Sequence, residues 1–549
     1  MSSNAHPTKL EKPGQKDGRE VEWQLACSDL GSVRRWLDSH GTVAGLVLEA
    51  RSTQQIFDTY LDTDDWRIYR AGYALRIRSK SGRSEATLKS LQSARADVAD
   101  RREMSETLDN SESGSIRLLS GPVGSRVHAV SGSQALIALF EVRTSRQRFA
   151  VRREEDVQQL GEIALDETVI SRPHGAPQTS MQRVEVEAST ESHESLESLV
   201  ATLRNDCSLE TASDSKYSQG LKSVGLAPGP APEFAPMGVD PSMSMRDVAL
   251  ANLRRYWSAW HRHEPGARLG DDPEELHDLR VAGRRMDAIM REFRSLLPGA
   301  FSRLRPPLKK VLHALGDVRD LDVALGELDT FVRGLPESER ASAEPLRRQL
   351  ATEHQLARTR MLTALDSISV QSNVKKLTAL LAAPHAATEP SPSDREHLAS
   401  VMIRQRYRKV RKGANLLTAD SPMEAYHDVR GNVKKLRYAI EAVDVIYGKP
   451  ADEMLRALRR WQDKLGVQQD ANVASRRLKE LASKPRKGFA PETLFLMGRL
   501  AEHYARSALR ARKLHAKGYR KVRGRWKRLR MKLTHVPAAA EPAGSGAQS

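Results

Sequence analysis

The pattern of apolar and polar positions changes character once along the chain. In residues 1–226, short runs alternate the two kinds of position, as in EVEWQL, YALRIRS, SEATLKSL and RVEVEA. After residue 242, apolar residues recur every three or four positions over long stretches. A period of two predicts strands, and a period near 3.6 predicts helices. We therefore predict an α+β first half, an antiparallel sheet closed into a β-barrel with flanking helices, and an all-α second half.

The boundary between the halves lies in the segment APGPAPEFAPMGVDPS, residues 227–242. It contains five prolines and no periodic pattern, which is typical of a linker. A chain of 549 residues is long enough for two separate cores. We predict a sheet domain at 19–226 and a helical domain at 243–533, with disordered ends at 1–18 and 534–549.

The helical half contains an internal repeat with an offset of 150 residues. HDLRVAGRRMD, from His277, aligns with HDVRGNVKKLR, from His427, and LKKVLHALGDVRDLDVA aligns without a gap with LRRWQDKLGVQQDANVA. Two ungapped matches at one offset indicate duplication of a supersecondary unit. We predict two pseudo-symmetric helical bundles, at about 243–390 and 391–533.

Each copy places a histidine in line with cations on one side of a helix. At about 100° per residue, His277, Arg280 and Arg284 lie within about 60° of one another, opposite an apolar stripe. A lone helical histidine is more often a buried structural residue, but these positions favour an outward, anion-binding face. The predicted polyphosphate-binding residues are His277, Arg280, Arg284, Arg285, Lys309, Lys310, His427, Arg430, Lys434, Lys435, Arg437, Arg459 and Arg460.

The net charge of +18 is distributed unevenly between the halves. Residues 1–230 hold 29 Lys and Arg against 33 Asp and Glu, a net charge of −4, whereas residues 231–549 have a net charge of +22. Residues 506–532 alone hold 13 Lys and Arg and no acid. A basic half of this kind is suited to a polyanion, although a solvated basic surface is an open alternative. Nucleic acid is the competing polyanion; the aromatic fraction of 5% offers few stacking platforms.

Two features bear on the compartment. The only two cysteines, Cys27 and Cys207, cannot form a disulfide framework, and this favours a reducing environment. The first twenty residues contain no apolar segment typical of a signal peptide, and no stretch approaches 18 apolar residues. We predict a soluble cytoplasmic protein that does not enter the membrane.

Charged residues come in pairs along several predicted strands. Because residues i and i+2 share a face, Glu20 pairs with Glu22, and Glu185 with Glu187. The corresponding cation pairs and the remaining charged strand residues are Arg76 with Arg78, Arg146 with Arg148, and Lys89, Arg102, Glu103, Arg143 and Asp166. A barrel lined by both signs could hold a divalent metal and phosphate oxygens, as phosphoryl transfer requires. The plainer alternative is a charged face in contact with solvent.

Both halves resemble known families. Residues 19 to about 225 resemble the CYTH domain, the triphosphate tunnel fold, through the E-x-E strand at Glu20 and Glu22. Residues from about 240 to 531 resemble the CHAD domain, through H-x-x-R-V-x-x-R-R from His277 and L-G-x-x-R-D-x-D-V from Leu315. The resemblance implies a barrel that binds triphosphate with Mg²⁺ or Mn²⁺ and a helical domain that binds inorganic polyphosphate.

The resemblance also implies roles for individual residues. Glu20, Glu22, Glu103, Glu185 and Glu187 would be catalytic, and Glu20, Glu22, Glu185, Glu187 and Asp166 would be metal ligands. Arg76, Arg78, Lys89, Arg102, Arg143, Arg146 and Arg148 would bind substrate phosphates. The chain departs from the CYTH pattern at Gln24, which stands where the family has lysine, and from the CHAD pattern at Asp287, where a basic residue is common.

These observations lead to three hypotheses about function. The first is a polyphosphate-binding protein whose CYTH-like domain binds triphosphate or hydrolyses it slowly, since Gln24 removes a charge from the predicted site. The second is an active metal-dependent inorganic triphosphatase, and the third is a nucleic-acid-binding scaffold. Association with polyphosphate granules and the oligomeric state are left open by the sequence.

Overall fold

The computed structural model of the protein describes residues 15–91, 99–108, 116, 119–153, 158–188, 193–228, 237–240, 242–383, 392–418, 420–483 and 489–534. Two compact units, Met1–Pro230 and Ala231–Ser549, divide the chain, and each is described by itself. Most of the tails predicted at 1–18 and 534–549, and much of the predicted linker, lie outside the described residues. Residues 15–18 belong to the first strand and Thr534 to the last helix, so these parts of the predicted tails are ordered elements.

The first unit is built mainly from strands. The strands are β1 Gln15–Cys27, β2 Thr42–Val43, β3 Leu46–Ala50, β4 Gln54–Thr63, β5 Tyr73–Lys80, β6 Arg83–Ser90, β7 Ala99–Leu108, β8 Leu136–Arg153, β9 Gln159–Ser171, β10 Pro177–Ala188 and β11 Glu210–Thr211. The helices are α1 Leu30–Ser39, α2 Arg67–Arg70, α3 Pro122–Ser131, α4 His193–Asp206 and α5 Lys216–Ser223.

All of these strands belong to one antiparallel sheet. Its order is β2-β3-β8-β4-β5-β6-β7-β1-β10-β9, and β11 pairs with β1. The long strand β8 pairs with β3, β4 and β9. In the β1–β10 pair, Glu22 lies opposite Glu187, and Gln24 lies opposite Glu185. The antiparallel sheet predicted from the sequence is confirmed, and its closure into a barrel stays a prediction.

The apolar face of the sheet packs against helices, and this determines which side chains face the other way. Trp23 and Leu25 of β1 join Val184 and Val186 of β10 in one buried cluster, to which Leu199 of α4 also belongs. Because side chains alternate along a strand, the intervening glutamates and glutamine point to the opposite, polar face. Burial of the apolar positions therefore determines the direction of the charged ones.

The second unit is helical, as predicted. Its helices are α6 Met245–Leu269, α7 Pro273–Glu292, α8 Gly299–Arg333, α9 Glu337–Arg340, α10 Glu344–Asp366, α11 Ile368–Ala382, α12 Pro392–Leu416, α13 Met423–Glu441, α14 Asp444–Tyr447, α15 Lys449–Ser483, α16 Pro491–Lys513 and α17 His515–Thr534. In the part of the chain that the structure describes, no helix is long and apolar enough to cross a membrane.

The repeat in the sequence reappears in the helix boundaries. The helices α8 and α15 begin and end at positions 150 residues apart, and α7 and α13 begin at that same offset. Apolar side chains from both copies join in one buried cluster, which includes Met286 and Leu315 of the first copy and Leu436 and Leu465 of the second. A shared core holds the two copies in a fixed relation to each other.

Candidate functional site

The polar face of the sheet forms a pocket in which most of the predicted CYTH-type residues meet. Side chains from seven strands and from the start of α5 line it. They include Glu22, Gln24, Tyr60, Arg76, Arg78, Lys89, Arg146, Glu162, Glu185, Glu187, Ser215, Lys216 and Tyr217. The pocket therefore has a mixed lining of carboxylates and cations, as the paired charges in the sequence predict.

One side of the pocket is organised around Arg146. Its Nε lies 2.8 Å from Asp166 Oδ1, and its Nη2 lies 2.7 Å from Asp166 Oδ2 and 2.5 Å from Glu185 Oε2. Lys216, from α5, contacts Asp166 and lies 2.9 Å from Glu185 Oε1. Burial raises the pKa of Glu185, but Lys216 and Arg146 outweigh it and hold that pKa well below the usual range.

A second group of ion pairs lies around the arginines of β5. Arg78 donates to both oxygens of Asp58, at 2.8 Å each, and Arg76 donates to Glu103 at 3.2 Å. Asp58 is only 3% exposed, and although burial raises its pKa, the two arginines lower it below the ordinary value. A carboxylate in such a position keeps the guanidinium groups aligned until another anion replaces it.

Gln24 occupies the position where the CYTH pattern has lysine. Its Nε2 donates to Glu22 Oε1 at 2.7 Å, and Lys89 Nζ approaches the same oxygen at 3.1 Å. The amide thus keeps the hydrogen bond to Glu22 without adding a charge. Glu185, which lies opposite Gln24, is instead paired with Arg146 at 2.5 Å and with Lys216 of α5 at 2.9 Å.

Lys216 and Asp58 are charged residues of the candidate site that the sequence reasoning missed. Ser215 caps α5 by accepting a hydrogen bond from the Ser218 amide, and Lys216 is therefore the first helical residue. The motif Asp214-Ser215-Lys216 is an N-cap signal that could have located the start of this helix. The approach of Lys216 to the pocket depends on how α5 packs against the sheet, and no local sequence pattern indicates it.

Two predicted residues are placed differently. Arg143 is exposed, and its guanidinium lies 5.7 Å from the centre of the Phe57 ring rather than in the pocket. Arg102 neighbours Glu103 on β7, and since Glu103 reaches the pocket cations, alternation directs Arg102 to the other face. Sequence reasoning put both arginines with the phosphate-binding set because it lacked the register of their strands. The side chain of Glu20 lies outside the described residues.

The neighbouring acid Glu106 has a structural use. It is buried, and its carboxylate accepts hydrogen bonds from the Gly121 and Gly124 amides, at 2.6 and 3.1 Å, where α3 begins. Arg148 lies next to the pocket, because it donates a hydrogen bond of 3.1 Å to Glu162, a residue of the pocket lining. The charged residues of this unit thus divide between pocket ion pairs and helix capping.

Whether the pocket suits a divalent metal can be judged from its donors. Glu22, Glu185 and Glu187 offer carboxylate oxygens from adjacent positions of two paired strands, which is the donor chemistry that Mg²⁺ and Mn²⁺ prefer. In the described residues, however, no three acidic, histidine or cysteine side chains converge as a metal site. Glu22 and Glu185 instead point to Lys89, Lys216 and Arg146. The donors fit the metal, and binding would require these ion pairs to open.

The second candidate site lies where the equivalent helices α7 and α13 meet. We call this site the central basic face. It consists of Lys434 and its four arginine neighbours, Arg280, Arg284, Arg430 and Arg437. The contacts of this face repeat between the two copies, as the sequence does. Arg280 lies 3.7 Å from Asp320, and the equivalent Arg430 lies 3.9 Å from Asp470.

Two equivalent glycines make room for the arginines of this face. A Cβ atom at Gly316 would lie 3.4 Å from Arg280 Nη2, and one at Gly466 would lie 3.3 Å from Arg430 Nη2. Larger side chains at these positions would displace the guanidinium groups. The repeated glycine therefore allows each arginine to pack along the neighbouring helix.

Cations crowd around Lys434 strongly enough to change its ionisation. Burial, together with Arg284 and Arg430, lowers the pKa of Lys434 to about 6. Burial also raises the pKa of Asp470, one of the few acids near the face. A lysine held in this way takes up a proton when an anion compensates its neighbours.

The remaining predicted residues of the helical unit are spread around this face. His427 is exposed and His277 is half-buried on the same helices, while Lys309 and Lys310 are exposed on α8 and Lys435 is half-buried on α13. Three cations, Arg285, Arg437 and Arg459, approach one carboxylate, Glu441, at 3.8, 3.9 and 3.0 Å. Arg460 lines a different groove, described below.

The ionisation of Lys434 leads to a prediction about proton uptake. Because its pKa is about 6, the side chain is largely neutral at pH 7.5 in the free protein, and a bound polyanion would raise that pKa toward the ordinary value. We expect binding of polyphosphate at pH 7.5 to take up about one proton at this site, and affinity to rise as the pH falls toward 6. Calorimetry in buffers of different ionisation enthalpy measures the uptake.

The Lys434→Met variant is the control for that measurement. It keeps an apolar stem of similar length and removes the titrating group. Proton uptake should then fall by about one, since arginines do not titrate in this range and Asp470 is unchanged. Equal uptake by the variant and the parent protein would contradict the assignment to Lys434.

Comparisons with known proteins agree with the two-unit architecture. Residues 39–220 match the family model of the CYTH domain, and residues 251–479 match that of the CHAD domain. The order of CYTH followed by CHAD, predicted from the sequence motifs, is therefore confirmed. No curated protein matches the chain.

Solved structures show more distant similarity. The CHAD domain of the plant Ricinus communis has 23% identity and a TM-score of 0.42, covering 55% of this chain and 96% of that one. PptA from Streptomyces chartreusis has 21% identity and a TM-score of 0.40, covering 50% and 99%. A Hippeastrum protein, described as a candidate adenylyl cyclase with a dominant triphosphatase activity, has 18% identity and a TM-score of 0.29, covering 38% and 97%. These identities and TM-scores are too low to indicate which ligand this chain binds.

Proposed function

We propose that the chain binds condensed inorganic phosphates, with polyphosphate on the central basic face and triphosphate in the strand pocket. The crowding of Lys434 by four arginines carries the proposal. Like charges held this close repel one another, and the three nearby acids, Asp320, Asp470 and Glu441, leave a surplus of positive charge on the four arginines, since Arg285 and Arg459 also approach Glu441. A dense polyanion supplies the missing charge, and bidentate arginine contacts suit its phosphate groups.

The strand pocket supports the triphosphate part of the proposal. Arg76, Arg78 and Arg146 are held in place by carboxylates, and phosphate oxygens can replace those carboxylates in the same bidentate geometry. Phosphate oxygens that drew Arg146 away from Glu185, and Lys89 away from Glu22, would make both carboxylates available to Mg²⁺ or Mn²⁺. We also propose that the sheet closes around the pocket as a barrel, because β8 pairs with β9 as well as with β4.

An active metal-dependent triphosphatase is the second candidate function. The convergence of Glu22, Glu185 and Glu187 with three arginines in one pocket favours it. A bound metal would polarise phosphoryl oxygens, while the arginines would bind the phosphate chain and the free glutamates would orient water. Gln24 weakens this candidate, since the loss of one electrostatic contact costs on the order of 10² to 10³ in rate.

Competition between polyphosphate and duplex DNA tests the choice of polyanion. We expect long-chain polyphosphate to displace duplex DNA from the full chain at about a tenfold lower concentration of phosphate groups, at moderate salt. The physical reason is that closely spaced cations on two adjacent helices can contact successive phosphates of a flexible chain, whereas a rigid duplex presents fewer at once. Filter binding of labelled DNA measures the displacement.

The reverse competition provides the control. Labelled polyphosphate is bound to the full chain, and duplex DNA is added at matched phosphate and salt concentrations. If DNA displaces polyphosphate more readily than polyphosphate displaces DNA, the nucleic-acid scaffold is the better interpretation and the present proposal is wrong.

A further inference from the structure

A second basic groove lies between α15 and α17, away from the central basic face. One wall carries Arg456, Arg460 and Lys464, which are four residues apart on α15, and the other carries Lys521, Arg525 and Arg528 on α17. Residues spaced by three or four positions share one side of a helix, so the two walls present facing rows of cations. Successive cations along α15 are about 6 Å apart.

Close packing of the two helices holds these rows together. Gly518 of α17 lies against Trp461 of α15, and a Cβ atom at Gly518 would come within 2.5 Å of the indole ring. Trp461 is fully buried, and its Nε1 donates to His515 Nδ1 at 3.3 Å. The base of the groove is therefore a fixed part of the core, and its walls are charged side chains.

Acids compensate the groove only in part. Among the lining residues that the structure describes, the acids are Glu453 and Asp463, against six cations. Arg525 and Arg528 both donate to the same oxygen of Glu453, at 2.9 and 3.0 Å. The other four cations line a concave surface with a surplus of positive charge, which attracts anions.

The groove belongs to the second copy of the repeat alone. At the offset of 150 residues, Arg456 corresponds to Pro306 and Lys464 corresponds to Ala314. It is also separate from the central basic face. Arg460 and Gln469, the partner of Arg430, are nine residues apart on α15 and thus on about opposite sides of that helix.

We propose that this groove is a second binding site for inorganic polyphosphate, engaged in addition to the central basic face. The inference rests on the proposed function for the choice of ligand. Two rows of Lys and Arg along parallel walls fit a linear chain of phosphates. The single aromatic residue of the lining, Trp461, is buried and offers no exposed ring on which a base could stack, and this favours polyphosphate over single-stranded nucleic acid.

The salt dependence of binding provides the test. The variant Arg460→Gln/Lys464→Gln/Lys521→Gln removes three groove cations from the full chain. The control variant, Lys479→Gln/Arg520→Gln/Lys527→Gln, removes the same charges from exposed positions of α15 and α17 outside the groove. Each phosphate that a cation neutralises contributes about 0.7 to the magnitude of the slope of log K against log salt for a flexible polyanion. The groove variant should therefore lower that slope for polyphosphate by about 2 and the control should leave it nearly unchanged.

The outcomes separate this inference from the function on which it rests. A lower slope in the groove variant alone, with an unchanged far-ultraviolet spectrum, supports the second site. Equal slopes in the parent, groove and control proteins overturn it while leaving polyphosphate binding intact. A loss confined to duplex DNA also overturns it, since the groove would then be a nucleic-acid site. The absence of polyphosphate binding by the parent protein would contradict the proposed function itself.

Discussion

Replacing Arg280, Arg284, Arg430 and Lys434 by alanine should lower the affinity of the full chain for long-chain polyphosphate by at least about 10²-fold at low salt. Each charge-assisted hydrogen bond to a phosphate contributes about 1.5–3 kcal/mol, and 1.4 kcal/mol corresponds to a factor of ten. The four positions belong to one cluster, so their effects should not add fully. Fluorescence or filter binding of labelled polyphosphate over a salt series measures the loss.

A matched variant separates the central basic face from general charge. Arg303, Arg348, Arg476 and Lys479 are exposed residues of the same unit, and their replacement by alanine removes the same three arginines and one lysine. We expect this control to bind nearly as well as the parent protein at moderate salt, where distant charges are screened. Similar losses in both variants would mean that net charge alone determines binding, and the assignment to α7 and α13 would then be wrong.

The second large effect is expected in the strand pocket. If the pocket hydrolyses tripolyphosphate with Mg²⁺ or Mn²⁺, Glu22→Gln should lower the rate by on the order of 10² to 10³. Glu22 is 6% exposed and already interacts with Gln24 and Lys89, so an amide at this position keeps the shape and removes the negative charge. Phosphate release from tripolyphosphate, followed with and without metal, measures the effect.

The companion variant Gln24→Lys shows whether the site is weakened or lost. A lysine there would lie opposite Glu185 and next to Glu22 on the same strand face, where it adds the positive charge that the CYTH pattern contains. We expect Gln24→Lys to increase the rate of tripolyphosphate hydrolysis. The control Arg143→Gln changes a residue outside the pocket and should leave the rate unchanged. A parent protein and a Gln24→Lys variant that both release no phosphate would exclude the triphosphatase, leaving triphosphate binding to be measured separately.

Local patterns accounted for much of the fold and for part of each site. Alternation along β1 and β10 placed Glu22, Glu185 and Glu187 on one face, because burial of Trp23 and Val184 leaves the opposite face polar. Alternation separates Arg102 from Glu103 and Arg143 from Arg146, but it does not show which of the two faces lines the pocket. A single residue of register reverses the face, and only the observed pairing of β7 and β8 determines it.

By itself, the sequence determined the two-part architecture, the duplicated helices and the basic character of the second half. These follow from periodicity, from an ungapped repeat and from charge, which are all properties of neighbouring residues along the chain. Only the tertiary structure decided which distant charges meet. It brought Lys216 to Glu185, Asp58 to Arg78 and Arg284 to Lys434, pairs whose members lie on different elements. Such contacts depend on how elements pack against one another, and packing arises from the whole core rather than from any local motif.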